Sequence, residues 1–152
     1  MSRVDSYKDG WLSHRKALQA LIETLENNNL SFKPWDNAMS LSELVLHISS
    51  STSMFVRTVN EGLFTPPNEG KTPETVEELK QMVQSDTDKT LTYLESITEE
   101  QLNQLVEFSG MKMTGLAMLE TAKDHEIHHK GQLFTYARLI GVEELPFFVI
   151  RG

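Results

Sequence analysis

His125 and His129 stand four residues apart in the run Asp124-His125-Glu126-Ile127-His128-His129-Lys130-Gly131-Gln132. On a helix that spacing is about one turn, so both imidazoles leave the same face with Cβ atoms about 5–6 Å apart. Two neutral imidazoles placed this way can share one divalent cation. The chain has five histidines, and three of them crowd into this turn. A fourth, His47, falls on the apolar stripe of an earlier helix. His47, His125 and His129 are therefore the candidate metal ligands. Three protein nitrogens with a further coordination position open to water or substrate is the arrangement of a catalytic zinc. Imidazole suits nickel, iron and copper as well, so the spacing alone does not name the metal.

The neighbouring polar residues read differently. His128 is rotated about 100° from His129 and belongs on the flank or surface of the helix. His14 lies at the edge of the first helix's stripe and reads as structural. The string His125-Glu126-Ile127-His128-His129 also matches the H-E-x-x-H pattern in which a glutamate acts as general base on a zinc-bound water. That reading is set aside. Gly131 comes two residues after the second histidine rather than three, and only 23 residues follow His129, too few for a third ligand helix. Glu126 points about 100° away from His125, so it is not assigned as a base, and no catalytic residue is assigned. Gly131 inside a helix should cost about 1 kcal/mol relative to alanine, which points to close approach of another helix or a partner subunit. The methionines, Met54, Met82, Met111, Met113 and Met118 among them, read as gap-filling core.

The elements that must carry these groups follow from periodicity. Val4, Tyr7, Trp11, Leu18, Leu21, Ile22 and Leu25 predict a helix from about Val4 to Glu26, stopped by Asn27-Asn28-Asn29. Ser40-Leu41-Ser42-Glu43 is a capping box that starts a second helix, ending near Glu61-Gly62. Its buried side carries Leu41, Leu44, Val45, Ile48, Phe55 and Val59, with His47 among them. Thr65 to Gly70 is a loop by composition. Thr72-Pro73-Glu74 is expected to open a third helix, with proline at its first position. Thr98-Glu99-Glu100-Gln101 caps a short helix, and Val106 to Lys112 could be extended. The last long helix should run from about Thr114 to Ile140 and stop at Gly141. Its inner stripe reads Met118, Ala122, His125, His129, Leu133, Tyr136 and Ile140, which makes the two histidines core-facing. The apolar tail Leu145 to Ile150 should pack back on the domain. Four long helices without a strong strand pattern predict an all-α fold, a four-helix bundle, as a single domain over residues 1–152.

Composition narrows the function classes. The net charge of −8 and scattered basic residues argue against nucleic-acid binding. The chain has no cysteine, so disulfides, thiolate zinc cages and a cysteine nucleophile are excluded. No apolar run approaches the roughly 18 residues of a membrane span and no signal core follows Met1, so a soluble, cytoplasmic protein without membrane association is expected.

A histidine midway along the second helix, followed by His-x-x-x-His-x-Gly-Gln in the last, resembles the DinB-like (YfiT-like) family of metal-dependent proteins. The residues concerned are His47 in Leu44-Val45-Leu46-His47-Ile48, and His125, His129, Gly131 and Gln132. The resemblance in helix order and length covers essentially the whole chain. It implies a bundle of up-down-down-up order, often a homodimer, and a divalent metal, commonly zinc or nickel, on the histidines matching His47, His125 and His129. Relatives include S-transferases that use a low-molecular-weight thiol as cosubstrate and mycothiol-dependent isomerases. The expectation is a divalent-metal-dependent enzyme acting on a small molecule, a thiol S-transferase or hydrolase. The competing expectation is a non-catalytic stress-response or interaction bundle with a structural metal.

Overall fold

Side-chain caps fix where the helices begin. In the computed structural model, which describes residues 1–67 and 70–152, Ser2 accepts from the Asp5 amide and opens α1, Arg3–Ile22. Ser40 and Glu43 form the expected reciprocal box at the head of α2, Leu41–Glu61, which ends at Gly62 with φ of 78°. Thr75 caps α3, Val76–Ser96. Thr98 caps the short α4, Glu99–Asn103, and Thr114 caps α5, Gly115–Leu139. Between α4 and α5 lies an antiparallel hairpin of β1, Leu105–Phe108, and β2, Met111–Thr114. Its two-residue turn, Ser109-Gly110, has φ of 51° and 78°, the positive values that a tight hairpin turn requires.

Two boundaries depart from the sequence reading. α1 stops at Ile22 because Thr24 and Leu25 donate to carbonyls three residues back and the Thr24 hydroxyl takes the Leu21 carbonyl, which tightens the last turn. A separate 3-10 turn follows at Asn27–Asn29. α3 begins after Pro73 rather than at it, since Thr75 takes the cap position and its hydroxyl accepts from the Glu78 amide at 3.1 Å. The region left open as extended, Val106 to Lys112, is most of the hairpin. Of the Thr65–Gly70 loop, Asn68 and Glu69 lie outside the described residues.

Contacts between helices give their directions. Gln19 meets Gln84 and Glu23 meets Lys80, so α1 and α3 run antiparallel. Ser49 and Ser53 meet Asp86, and Asn60 meets Tyr93, so α2 and α3 run parallel. Tyr136 reaches Met39 while Thr52 reaches Glu126, so α2 and α5 are antiparallel. The order is up-down-down-up, and the long α2–α3 connection is what a parallel pair demands.

The core divides into two apolar halves. One gathers Leu18, Leu21, Leu44, Ile48, Leu79 and Leu133. The other gathers Trp11, Phe55, Val59, Leu94, Met118 and Ala122. At the level between them every long helix contributes a buried polar residue: Arg15, Thr52, Thr87 and Glu126. The C-terminal tail returns to α1, with Val149 buried and the Ile150 amide donating to the Ser13 carbonyl at 2.9 Å. Phe147 and Phe148 remain exposed on it. No helix among the described residues is long and apolar enough to cross a membrane.

Candidate metal centre

The antiparallel seam of α2 and α5 brings the three histidines together. His47 Nε2 lies 3.1 Å from His125 Nε2. Ring centroids are 4.8 Å apart for His47–His125, 4.8 Å for His47–His129 and 4.5 Å for His125–His129. One ring nitrogen from each lies within 4.8 Å of the others. The His125/His129 pair owes its alignment to the helical turn; its meeting with His47, 78 residues earlier, is set by helix register.

That register is fixed by the polar layer. The Glu126 carboxylate receives four hydrogen bonds: Trp11 Nε1 at 2.9 Å, Arg15 Nε at 2.9 Å, Arg15 Nη2 at 2.8 Å and the Thr52 hydroxyl at 2.8 Å. Arg15 Nη1 also donates to Thr87 Oγ1 at 2.8 Å, and its guanidinium lies over the Trp11 ring. The Arg15 and Glu126 side chains are both 0% exposed. Burial pushes the Glu126 carboxyl up, but the Arg15 charge and the donated hydrogen bonds outweigh it and hold the group below its ordinary range. Thr52 on α2 and Glu126 on α5 therefore pin the two ligand-bearing helices beside the histidines.

The histidines do not face the core as the stripe reading expected. The buried line of α5 is Met118, Ala122, Glu126, Lys130, Leu133 and Ala137, so His125 and His129 stand half-buried on its shoulder and His128 is exposed. The rotation has a physical cause. Arg15 sits on the buried line of α1 between Trp11 and Leu18, and a charge there needs a partner. Glu126 supplies it and turns that face inward. Arg15 and Glu126 were missed in the sequence; a lone arginine on an apolar stripe was the available signal.

Lys130 was missed as well. Its ammonium is buried, donates to the Phe148 carbonyl and lies 2.7 Å from His14 Nδ1, tying α1, α5 and the tail together. Burial lowers its pKa to about 8, and burial followed by the Lys130 charge lowers His14 to about 4. His14 is not among the three histidines that converge. Gly131 is exposed, and a Cβ built on it meets nothing within 4 Å, so among the described residues no other helix of the chain makes the close approach expected there. The tight glycine is Gly115, where a Cβ would run into the Gln101 carbonyl and lie 3.0 Å from Val59 Cγ1.

The site is prepared for a cation in its charge state. Burial, then the neighbouring His129, His47 and His128, lower His125 to about 4, and burial followed by His129 lowers His47. Both rings are neutral at neutral pH, the form that binds metal. His129 Nδ1 is 2.7 Å from Gln132 Oε1. A carbonyl oxygen only accepts, so Nδ1 carries the proton and the lone pair is left on Nε2. His125 Nδ1 is buried without a partner among the described residues. Tetrahedral zinc–imidazole bonds of about 2.0–2.1 Å place ligand nitrogens about 3.3 Å apart. The His47–His125 pair, at 3.1 Å, is close to that spacing, and a ring nitrogen of His129 lies within 4.8 Å of both. The residues present fit a divalent ion.

Two surfaces flank the trio. His47 also lines an open cavity of about 800 Å³ between α2 and α3, with Leu46, Ser50, Met82 and Lys89. On the other side His125 borders an aromatic group: Phe55 is 6.1 Å from its ring, Phe108 is 5.1 Å from Phe55, and Phe64 is 5.2 Å from Phe108.

The sequence pattern that describes the DinB family matches residues 1–151. YjoA of Bacillus subtilis is 41% identical over 141 residues, covering 91% of each chain. The crystal structure of that DinB-like protein superposes with a TM-score of 0.85 at 38% identity, covering 97% of this chain and 99% of the other. A DinB-like protein from Bacillus cereus superposes with a TM-score of 0.81 at 18% identity, covering 93% and 95%. A DinB-family member from Exiguobacterium sibiricum gives 0.72 at 16% identity, covering 97% and 99%. At those last two identities the likeness is one of fold.

Proposed function

The chain belongs to the DinB family, and on that premise we propose that it is a divalent-metal-dependent enzyme acting on a small molecule, with His47, His125 and His129 as the ligands. The observation that carries the reading is the convergence of three ring nitrogens within 4.8 Å. No fourth histidine or carboxylate joins that group among the described residues, which supports a site with room for substrate rather than a closed structural shell.

Zinc or nickel suits an all-imidazole set. Such an ion would supply Lewis acidity, which makes water or a small thiol a nucleophile near neutral pH. Hydrolysis or thiol S-transfer are the reactions that fit. The chain has no cysteine, so a thiol would arrive as cosubstrate. Gln132 accepts from His129 Nδ1, which leaves the Nε2 lone pair for the ion. Glu126 accepts from four donors in the core and stays ionised, so it moves no proton; its work is to hold α5 against α2.

The test is a metal-loaded protein assayed for transfer of small thiols to electrophiles and for ester and amide hydrolysis, beside His129→Ala. Activity in one panel, lost in the variant, is expected. A loaded wild-type protein inert in both panels would refute the enzyme reading and favour a structural ion in an interaction bundle.

A further inference from the structure

The aromatic group beside His125 is costly to explain by packing alone. Phe55 is buried, but Phe64 is 45% exposed and Met111, paired across the hairpin from Phe108, is 57% exposed. Phe64 leaves the end of α2 and sets its ring edge-on against Phe108 at 5.2 Å, so apolar surface from two loops is gathered at one place and left partly in water. Contiguous apolar surface of that kind marks a binding site more often than a core. It adjoins the histidines through Phe55, whose buried ring lies 5.1 Å from Phe108 and 6.1 Å from His125.

We propose that Phe64 and Phe108, backed by Phe55, form the wall that receives an apolar, planar body of the substrate while its polar head reaches the histidine trio. This rests on the metal-site reading above and adds the substrate class: a molecule with an aromatic or comparably flat apolar group joined to a metal-seeking head. The ring geometry supports it. Phe55 and Phe108 meet at an interplanar angle of 54° and Phe64 and Phe108 at 64°. Tilted rings leave open edges and faces that a further ring can join in edge-to-face contact.

The test uses two hydroxamates that share one metal-binding head. Acetohydroxamate has no apolar body, and 4-phenylbenzohydroxamate carries two aromatic rings. Binding to the zinc-loaded protein is measured by calorimetry for wild type, Phe64→Ser and Phe108→Ala. The wild type is expected to prefer the two-ring compound by about tenfold or more. Both variants are expected to cut that preference to about threefold or less while the acetohydroxamate and zinc affinities hold. Phe64→Ser alters a side chain already half in solvent, so it remains informative if Phe108→Ala unfolds the hairpin. Equal wild-type affinity for the two compounds, or a preference that persists in Phe64→Ser, would overturn the proposal while leaving the metal site standing. Failure of zinc to bind would overturn the metal reading and this proposal with it, and failure of both hydroxamates to bind the zinc-loaded protein would overturn this proposal alone.

Discussion

Replacing Glu126 by glutamine tests whether the polar layer holds the bundle together. The change keeps size and shape but removes the charge opposite Arg15, whose side chain is 0% exposed. If the amide oxygen takes the Oε1 position, it can keep the bonds from Trp11, Arg15 Nη2 and Thr52. The amide nitrogen then faces Arg15 Nε at the 2.9 Å that Oε2 now occupies, donor against donor. The alternative rotamer sets the nitrogen against three donors. Either way a guanidinium is left buried without a counter-charge, at a cost of about 3–5 kcal/mol. For a chain of this length that lowers Tm by roughly 6–20 °C. Urea unfolding followed by circular dichroism gives the free energy, with the slope checking that the unfolded state is unchanged. Arg15→Met combined with Glu126→Gln should be at least about 2 kcal/mol less destabilised than the two single changes added together. A loss under about 1 kcal/mol for Glu126→Gln, or simple additivity of the pair, would refute the reasoning.

The glycines offer a contrast. Gly131→Ala should raise stability by about 0.5–1 kcal/mol, since the position is helical and open, whereas Gly115→Ala should lower it by about 1–3 kcal/mol; thermal melts of both that move in the same direction would contradict this. Stability should fall on acidification from about pH 6.5 to pH 4. His14 and His125 are each held down to about 4 when folded, so the unfolded chain binds more protons across that window. With solvent screening at two half-buried rings the loss is on the order of 3 kcal/mol, and a urea midpoint independent of pH there would count against it. Gln132→Leu should weaken zinc binding about 10–100-fold with Gln132→Glu retaining it, read by competition with a chelating dye; equal affinity in all three proteins would remove Gln132 from the site.

How much of this was legible in the sequence depended on the kind of signal. Helix starts were carried by local chemistry, so Ser40, Thr98 and Thr114 mark boundaries that the structure keeps. His125 and His129 were found because a four-residue spacing is itself a contact on a helix. His47 could be nominated only from its place on a stripe, since its approach to the pair depends on how α2 and α5 pack. The facing of α5 was misjudged because Glu126 and Lys130 look like solvent-side residues, and their burial depends on Arg15, His14 and the tail, more than 100 residues away for the first two. The aromatic wall was invisible for the same reason: Phe55, Phe64 and Phe108 come from a helix, a loop and a hairpin that meet only in the fold.

Metal content and affinity of the protein purified without an affinity tag bear most directly on the site. Calorimetric titration of zinc and nickel into chelator-treated protein should give one ion per chain, with His47→Ala, His125→Ala and His129→Ala each reducing affinity by orders of magnitude while the helical fold persists. Absence of saturable binding, or binding that survives loss of His47, would contradict a shared three-histidine centre.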